Sequence, residues 1–204
     1  EEPRYLDFAE YIVDQWARHP AGPPDILHKG LSNAPVHTWF PEPYRWAKSY
    51  EFISCVEGML HLFRITGRGV YLDAVAHIYE HLRTWERSPV GSISFNDKFV
   101  GSSRLINIAG EICDVVYWNR LSFELLRLTH ETVYADEFER SLYNALLTGM
   151  NPEGTWGLRR LRLSHEHVPA HHHCDLAHQQ CCVANAPRGL LQAAQMAWMT
   201  DPEG

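Results

Sequence analysis

The sequence lacks three features, each of which would point to a different class of protein. No run of apolar residues approaches the ~18 that a membrane-spanning helix needs. Basic side chains are outnumbered, 18 against 25 acidic ones, and the formal charge of −7 argues against the basic face of a general nucleic-acid-binding protein. Cysteines number five, an odd count whose spacings do not suggest a disulfide framework. The sequence therefore predicts a protein that binds neither nucleic acid nor a membrane.

The residues that are present have the composition of a globular domain, 45% hydrophobic and 21% charged over 204 residues. Three segments within it are alike: "YLDFAEYIVDQW" from Tyr5, "YLDAVAHIYEHL" from Tyr71 and "YADEFERSLYNAL" from Tyr134. The last two also follow similar segments, "LFRITGRGV" and "LLRLTHETV". This pattern predicts a helix, a short turn and a second helix, repeated at an interval of roughly 65 residues.

Turn signals at Thr66-Gly67 and Thr129-His130 mark where the first helix of two pairs ends. A last helix is expected to begin at Pro187, a residue type favoured in a first turn. Its predicted inward residues are Leu190, Leu191, Ala194 and Trp198. The best candidate strand is the short "SISF" segment at 92–95. The predicted fold is all-α, with helical-hairpin repeats that form an α/α toroid or a solenoid, in a single domain over residues 1–204.

The long connections of this scaffold are expected to carry its function. They span 18–46, 86–110 and 150–186, and in a hairpin repeat they meet at one end, where a binding site can form. About three hairpins fit in the chain, whereas a closed six-hairpin toroid needs roughly twice the length. We therefore expect a partial toroid.

Two cysteine-containing motifs are candidate metal ligands. In "AGEICD", residues 109–114, Glu111 and Cys113 would face the same side if the chain entered a helix in an extended conformation. Cys181 and Cys182 are adjacent and precede a predicted helix, whose dipole favours thiolates. One carboxylate and three sulfurs suit tetrahedral zinc. The alternative for each pair alone is ordinary packing in the core.

A histidine tract, His171-His172-His173-Cys174, lies close to the cysteine pair, with further histidines around it. Those flanking histidines are His165, His167 and His178. Consecutive loop histidines bind metals loosely and are more typical of a solvated surface. Metal handling through this tract is kept as a separate hypothesis, which predicts several loosely bound ions.

The segment "ICDVVYWNRLSFELLRLTHETVYADEFERSLYNALLTGMNPEG", followed by "CCVANAPRGL", resembles the β-L-arabinofuranosidase-like enzymes of glycoside hydrolase family 127 and its relatives. The resemblance extends over residues 46–192, about half of the family's catalytic domain. It implies an (α/α)6 toroid, hydrolysis of an L-arabinofuranoside or a related sugar with retention, and a zinc-bound cysteine nucleophile. By motif, the implied zinc ligands are Glu111, Cys113, Cys181 and Cys182, with Cys181 as the nucleophile.

The sequence departs from that family at the acid/base position. The relatives have a glutamate upstream of the Glu-x-Cys motif, whereas "VGSISFNDKFVGSS" contains a single acidic residue, Asp97. Asp97 is the candidate acid/base, and the alternative is a turn aspartate in "FND". His28, His37 and the histidines of 165–178 are candidate sugar contacts. Four tryptophans could stack on a sugar, and the alternative for most of them is burial in the core: Trp39, Trp46, Trp118 and Trp156.

Two functions follow from these motifs. The first is a retaining zinc-thiolate glycosidase with a carbohydrate substrate. The second is a non-catalytic helical module that holds a structural zinc or binds carbohydrate without cleaving it, because four protein ligands make the closed shell typical of structural sites. The residues leave the sugar, the oligomeric state and the compartment open.

Overall fold

A computed structural model describes residues 2–18, 25–40, 48–95, 97–101, 108–150, 154, 160–162 and 181–200. Within these residues the chain forms seven α-helices, two short strands and two 3-10 helices, at Val36–Trp39 and Leu147–Gly149. The α-helices are α1 (Pro3–Trp16), α2 (Ile26–Gly30), α3 (Ser49–Thr66), α4 (Gly69–His81), α5 (Ile112–Thr129), α6 (Thr132–Ser141) and α7 (Cys181–Met196). The strands are β1 (Ile108–Glu111) and β2 (Arg160–Arg162), which pair antiparallel.

Two helical hairpins, α3–α4 and α5–α6, confirm the predicted repeat. The first turns at Gly67 (φ 69°) and the second at His130 (φ 61°), both left-handed, and each N–H bonds back into the helix that has just ended. The second helix of each hairpin also continues in the same irregular way, as a π-helical turn at Leu82–Glu86 and at Leu142–Leu146. The two hairpins are therefore alike even in the π-helical turn that follows the second helix.

The first helices of the hairpins run in the same direction. Tyr50 of α3 contacts Tyr117 of α5 near the start of both helices, with ring centroids 5.8 Å apart and ring planes tilted by 51°. Further along, Arg64 Nη1 lies 2.8 Å from Glu124 Oε2. Helix α7 packs against α5 with the same polarity, from Cys182 beside Cys113 to Gly189 against Val116. Helices α3, α5 and α7 thus form one layer of parallel helices, and the N-termini of α5 and α7 meet at one end of it.

The core lies between this layer and the returning helices. Tyr79 of α4 stacks on Trp118 of α5 at 4.0 Å, and the Tyr79 hydroxyl hydrogen-bonds Ser122 at 2.8 Å. Trp118 has no exposed surface. Burial of such large side chains supplies most of the favourable free energy of folding. Among the described residues no helix combines the length and apolar character that crossing a bilayer requires.

The start of α7 corrects one prediction. The helix begins at Cys181 rather than at Pro187, which lies inside it. Proline in a helix interior removes one backbone hydrogen bond, so this position is unusual. The earlier start brings both cysteines into the first turn.

The predicted inward face of α7 is also wrong. Its buried residues are Cys182, Asn185, Ala186, Gly189 and Gln192. All four residues predicted to face inward are exposed, Trp198 by 89%. A Cβ at Gly189 would lie 2.7 Å from Leu146, so the close approach of α7 to the core requires glycine. The buried stripe follows this contact and not the largest apolar side chains.

The "SISF" segment is not a strand. Residues 91–95 are all buried, so no alternation of faces exists, and Phe95 forms only an isolated bridge with Lys98. The hydroxyls of Ser92 and Ser94 point to a buried carboxyl instead of to solvent. The segment is a buried loop that leads into the tight turn at 95–98.

Candidate metal-binding active site

Glu111 is the junction between β1 and α5. Its backbone is extended (φ −135°, ψ 148°), and it is the N-cap of α5. This conformation places the Glu111 carboxyl and the Cys113 thiol on the same side, as the extended entry predicted. Both residues are fully buried. The motif therefore supplies two donors from one turn of chain.

The first turn of α7 supplies the other two donors. Cys182 Sγ lies 3.1 Å from Glu111 Oε1 and 3.5 Å from Cys113 Sγ. Asn185 Nδ2 donates to Cys113 Sγ at 3.2 Å, which ties the two helix starts together. Cys182 is buried, whereas the neighbouring Cys181 is exposed.

The four predicted ligand residues converge on one point. One oxygen of Glu111 and the sulfurs of Cys113, Cys181 and Cys182 all lie within 4.8 Å of one another. Tetrahedral zinc, with bonds of about 2.3 Å to sulfur and 2.0–2.2 Å to oxygen, needs ligand separations of about 3.4–3.8 Å. The distances of 3.1 and 3.5 Å to Cys182 are near that range, and small side-chain rotations would bring the set into it. The donor set fits a thiophilic dication.

Burial and mutual repulsion disfavour the simultaneous ionisation of the acidic groups in this cluster. Burial, followed by the nearby Asp97 and Cys113, raises the pKa of Glu111 to about 8. Burial raises the pKa of Cys181 to about 11, and the pKa of Cys182 rises because its thiol donates to Cys113. The same thiol, together with the Asn185 amide, lowers the pKa of Cys113 to about 6. A bound dication would relieve this repulsion and favour the ionised ligands.

Asp97 lies in the turn between Phe95 and Lys98, with a left-handed backbone (φ 68°). It is nevertheless only 4% exposed, and its carboxyl is close enough to Glu111 to raise the pKa of that group. Aspartate tolerates the left-handed conformation better than most residues. The turn interpretation is confirmed. The acid/base role stays a prediction, for a carboxyl that adjoins the ligand cluster.

The remaining sequence candidates fall into three groups. His28 is exposed and its Nδ1 lies 2.6 Å from Asp25, whereas His37 is partly buried and its Nδ1 lies 2.8 Å from Glu86. Trp39 and Trp118 are buried, which confirms the core alternative for these two and excludes them as stacking platforms. Other candidates lie outside the described residues: Trp46, Trp156, His165, His167, His171, His172, His173, Cys174 and His178.

Sequence analysis missed Asp114. It is fully buried, and with Glu111 it forms a capping box at the start of α5, each side chain paired with the other residue's backbone. Burial and the neighbouring Glu111 and Asp97 raise the pKa of the Asp114 carboxyl. The signal was available, since an acidic residue three positions after an N-cap and before an apolar run is typical of a helix start.

Comparisons of the sequence with known proteins agree with the family resemblance described above. Residues 1–195 match the family described as beta-L-arabinofuranosidase, GH127 catalytic domain. A non-reducing end beta-L-arabinofuranosidase of Bifidobacterium longum subsp. longum is 23% identical, in an alignment that covers all of this chain and 35% of the relative. The chain thus spans about a third of the length of that curated relative.

Solved structures show the fold. A glycoside hydrolase superposes with a TM-score of 0.68 at 18% identity, covering 100% of this chain and 37% of the other. A GH127 beta-L-arabinofuranosidase from Geobacillus stearothermophilus T6 superposes with a TM-score of 0.65 at 19% identity, covering 97% and 35%. These likenesses confirm the α/α architecture, present here as a portion of the larger fold.

Proposed function

The chain belongs to the GH127 beta-L-arabinofuranosidase catalytic-domain family, and on that premise we propose that it forms the metal-thiolate site of a retaining glycosidase. The observation that carries the proposal is the convergence of Glu111, Cys113, Cys181 and Cys182 within 4.8 Å. The substrate class is an L-arabinofuranoside or a related sugar, as the relatives' names suggest. The proposed metal is zinc.

Zinc would stabilise the thiolate form of its sulfur ligands and make Cys181 a better leaving group in the second half of the reaction. The four residues named above would hold it. Cys181 is the proposed nucleophile because it is the exposed member of the set, while the other three are buried. A sugar can reach its sulfur without disturbing the core.

The chemistry assigned to the side chains is a double displacement. The Cys181 sulfur attacks the anomeric carbon, the glycosidic carbon–oxygen bond breaks, and the Asp97 carboxyl protonates the departing oxygen. Asp97 then takes a proton from water, which attacks the same carbon and releases the Cys181 sulfur. Two inversions at one carbon give net retention. Asp97 is supported by its contact with Glu111, although it is 4% exposed and the leaving oxygen must approach the turn at 95–98 closely.

The second candidate is a module that binds zinc or carbohydrate without hydrolysis. Four protein ligands complete a tetrahedral shell, which is the pattern of structural zinc sites. The short aspartate at the acid/base position also favours this candidate.

The experiment that separates the two is hydrolysis of an aryl β-L-arabinofuranoside by the zinc-loaded chain. Aryl release is expected for the wild type and for Cys55→Ala, which removes the half-buried thiol of α3. Release should be lost in Cys181→Ala. Asp97→Asn should slow an alkyl glycoside more than an activated aryl glycoside, because only the former needs a proton on its leaving group.

Turnover by Cys181→Ala at the wild-type rate would refute the nucleophile. Tight sugar binding in calorimetry with no product from the wild type would favour the non-catalytic module.

A further inference from the structure

Asp114 has a role that the proposed chemistry does not use. The residue has no exposed surface, so it touches neither solvent nor substrate. Its carboxyl accepts from the hydroxyls of Ser92 at 3.3 Å and Ser49 at 3.5 Å, and from Ser94 in a shorter contact. The backbone N–H of Glu111 donates to the same carboxyl at 3.4 Å.

These partners belong to three separate parts of the chain. Glu111 is a proposed ligand at the start of α5, and Ser49 is the first residue of α3. Ser92 and Ser94 lie in the buried loop that leads into the turn carrying Asp97. Ser49 also donates its backbone N–H to the Asp97 carbonyl at 3.1 Å. The Asp114 carboxyl therefore connects the backbone of a ligand to both segments that hold Asp97.

A helix cap alone does not explain this arrangement. Capping requires only the contact between Asp114 and the Glu111 N–H. The three serines are themselves fully buried, and each buried hydroxyl and carboxyl costs free energy unless it is paired. An apolar contact would have packed the loop at lower cost, whereas a fully paired polar network selects one geometry.

We propose that Asp114 is a positioning residue that fixes the Glu111 carboxyl and the Asp97 turn relative to each other, and thereby sets the geometry of the metal-thiolate site. The inference rests on the proposed function for the presence of a metal. Asp114 acts through Glu111 and the serines and contacts no reacting atom. Mutation of a residue that hydrogen-bonds to a metal ligand commonly changes metal affinity by about 10–100-fold.

The test uses Co²⁺ as a spectroscopic substitute for zinc. The wild type should show sulfur-to-cobalt charge transfer and the visible bands of a four-coordinate site. Asp114→Asn should bind Co²⁺ about 10–100-fold more weakly with shifted visible bands, and Ser94→Ala should shift both in the same direction by less. Asp73→Asn, an exposed substitution in α4, should reproduce the wild type.

A triple variant separates positioning from folding. Asp114→Ala with Ser92→Ala and Ser94→Ala removes the carboxyl together with two of its three serine partners, so that only the Ser49 hydroxyl and the Glu111 N–H lose an acceptor. The midpoint of urea unfolding should therefore lie closer to that of the wild type than the midpoint of Asp114→Ala alone. The Co²⁺ affinity and spectrum of the triple variant should stay altered. Wild-type affinity and spectrum in Asp114→Asn or in the triple variant would overturn the inference and leave a simple cap. A wild-type chain that binds no Co²⁺ would overturn the proposed function as well.

Discussion

The two halves of helix α5 bury different kinds of group. Its N-cap, Glu111, and two residues of its first turn, Cys113 and Asp114, are fully buried and polar or ionisable. Its middle contains Trp118, Leu121 and Leu125, equally buried and apolar. One helix thus stabilises the domain along most of its length and, in its first turn, holds groups that oppose stability. Such a contrast is typical of functional sites supported by a rigid scaffold.

The two regions also differ in the contacts that stabilise their buried side chains. The apolar half is stabilised mainly by close packing, above all against Tyr79 of the neighbouring helix. The polar half needs specific partners from distant segments, such as Asn185 for Cys113 and the serine hydroxyls for Asp114. Substitutions in the first region should lower stability, and substitutions in the second should alter metal binding.

The largest effect is expected in the apolar half. Trp118→Ala removes a fully buried ring that stacks on Tyr79 at 4.0 Å, and should lower the free energy of unfolding by about 3–5 kcal/mol. Trp198→Ala is the matched control, because that ring is 89% exposed, and should change it by less than about 0.5 kcal/mol. Urea titrations followed by circular dichroism measure both. Similar losses in the two variants would mean that the described core is incorrect.

A smaller effect tests a buried carboxylate within the scaffold, Glu57. Burial raises the pKa of Glu57 in α3 from 4.5 to about 7, and the Arg120 guanidinium, 3.0 Å away, only partly offsets this. Between pH 4.5 and 7 the folded state holds a proton that the unfolded chain has released. The free energy of unfolding should therefore fall as pH rises through this window, by up to roughly 3 kcal/mol.

Glu57→Gln carries no titrating group and should flatten that part of the pH profile. Urea unfolding at several pH values from 4 to 8 measures the slope for each protein. An unchanged slope in the variant would assign the pH dependence to another group and remove Glu57 as an exception within the scaffold.

The parts of the scaffold that could be predicted are those determined by residues close together in the sequence. The hairpin ends at Gly67 and His130 followed from the residues at the turns and from the repeat itself. The inward face of α7 was not predictable from hydrophobicity, because a close contact at Gly189 sets it and leaves Leu191 and Trp198 exposed. When apolar residues lie on both sides of a helix, contacts with the neighbouring helices decide which side is buried.

The clustering of the four predicted ligands could be foreseen from the sequence, whereas the residues that support them could not. Glu111, Cys113, Cys181 and Cys182 stand in two short motifs, so their spacing carried the chemistry. The capping half of Asp114 is visible in the sequence, but its serine partners are 20–65 positions away, and only the fold brings them together. Partners that differ so widely in sequence position leave no local pattern.

The central claim is that the polar end of the scaffold is a metal site, and the content of tightly bound zinc tests it most directly. Elemental analysis after dialysis against a mild chelator should find one zinc per chain in the wild type and in Cys55→Ser. The Cys181→Ser/Cys182→Ser variant should contain none, because half of the donor set is gone. Zinc retained by that variant would assign the metal to other residues, and a wild type without zinc would contradict the account of the site.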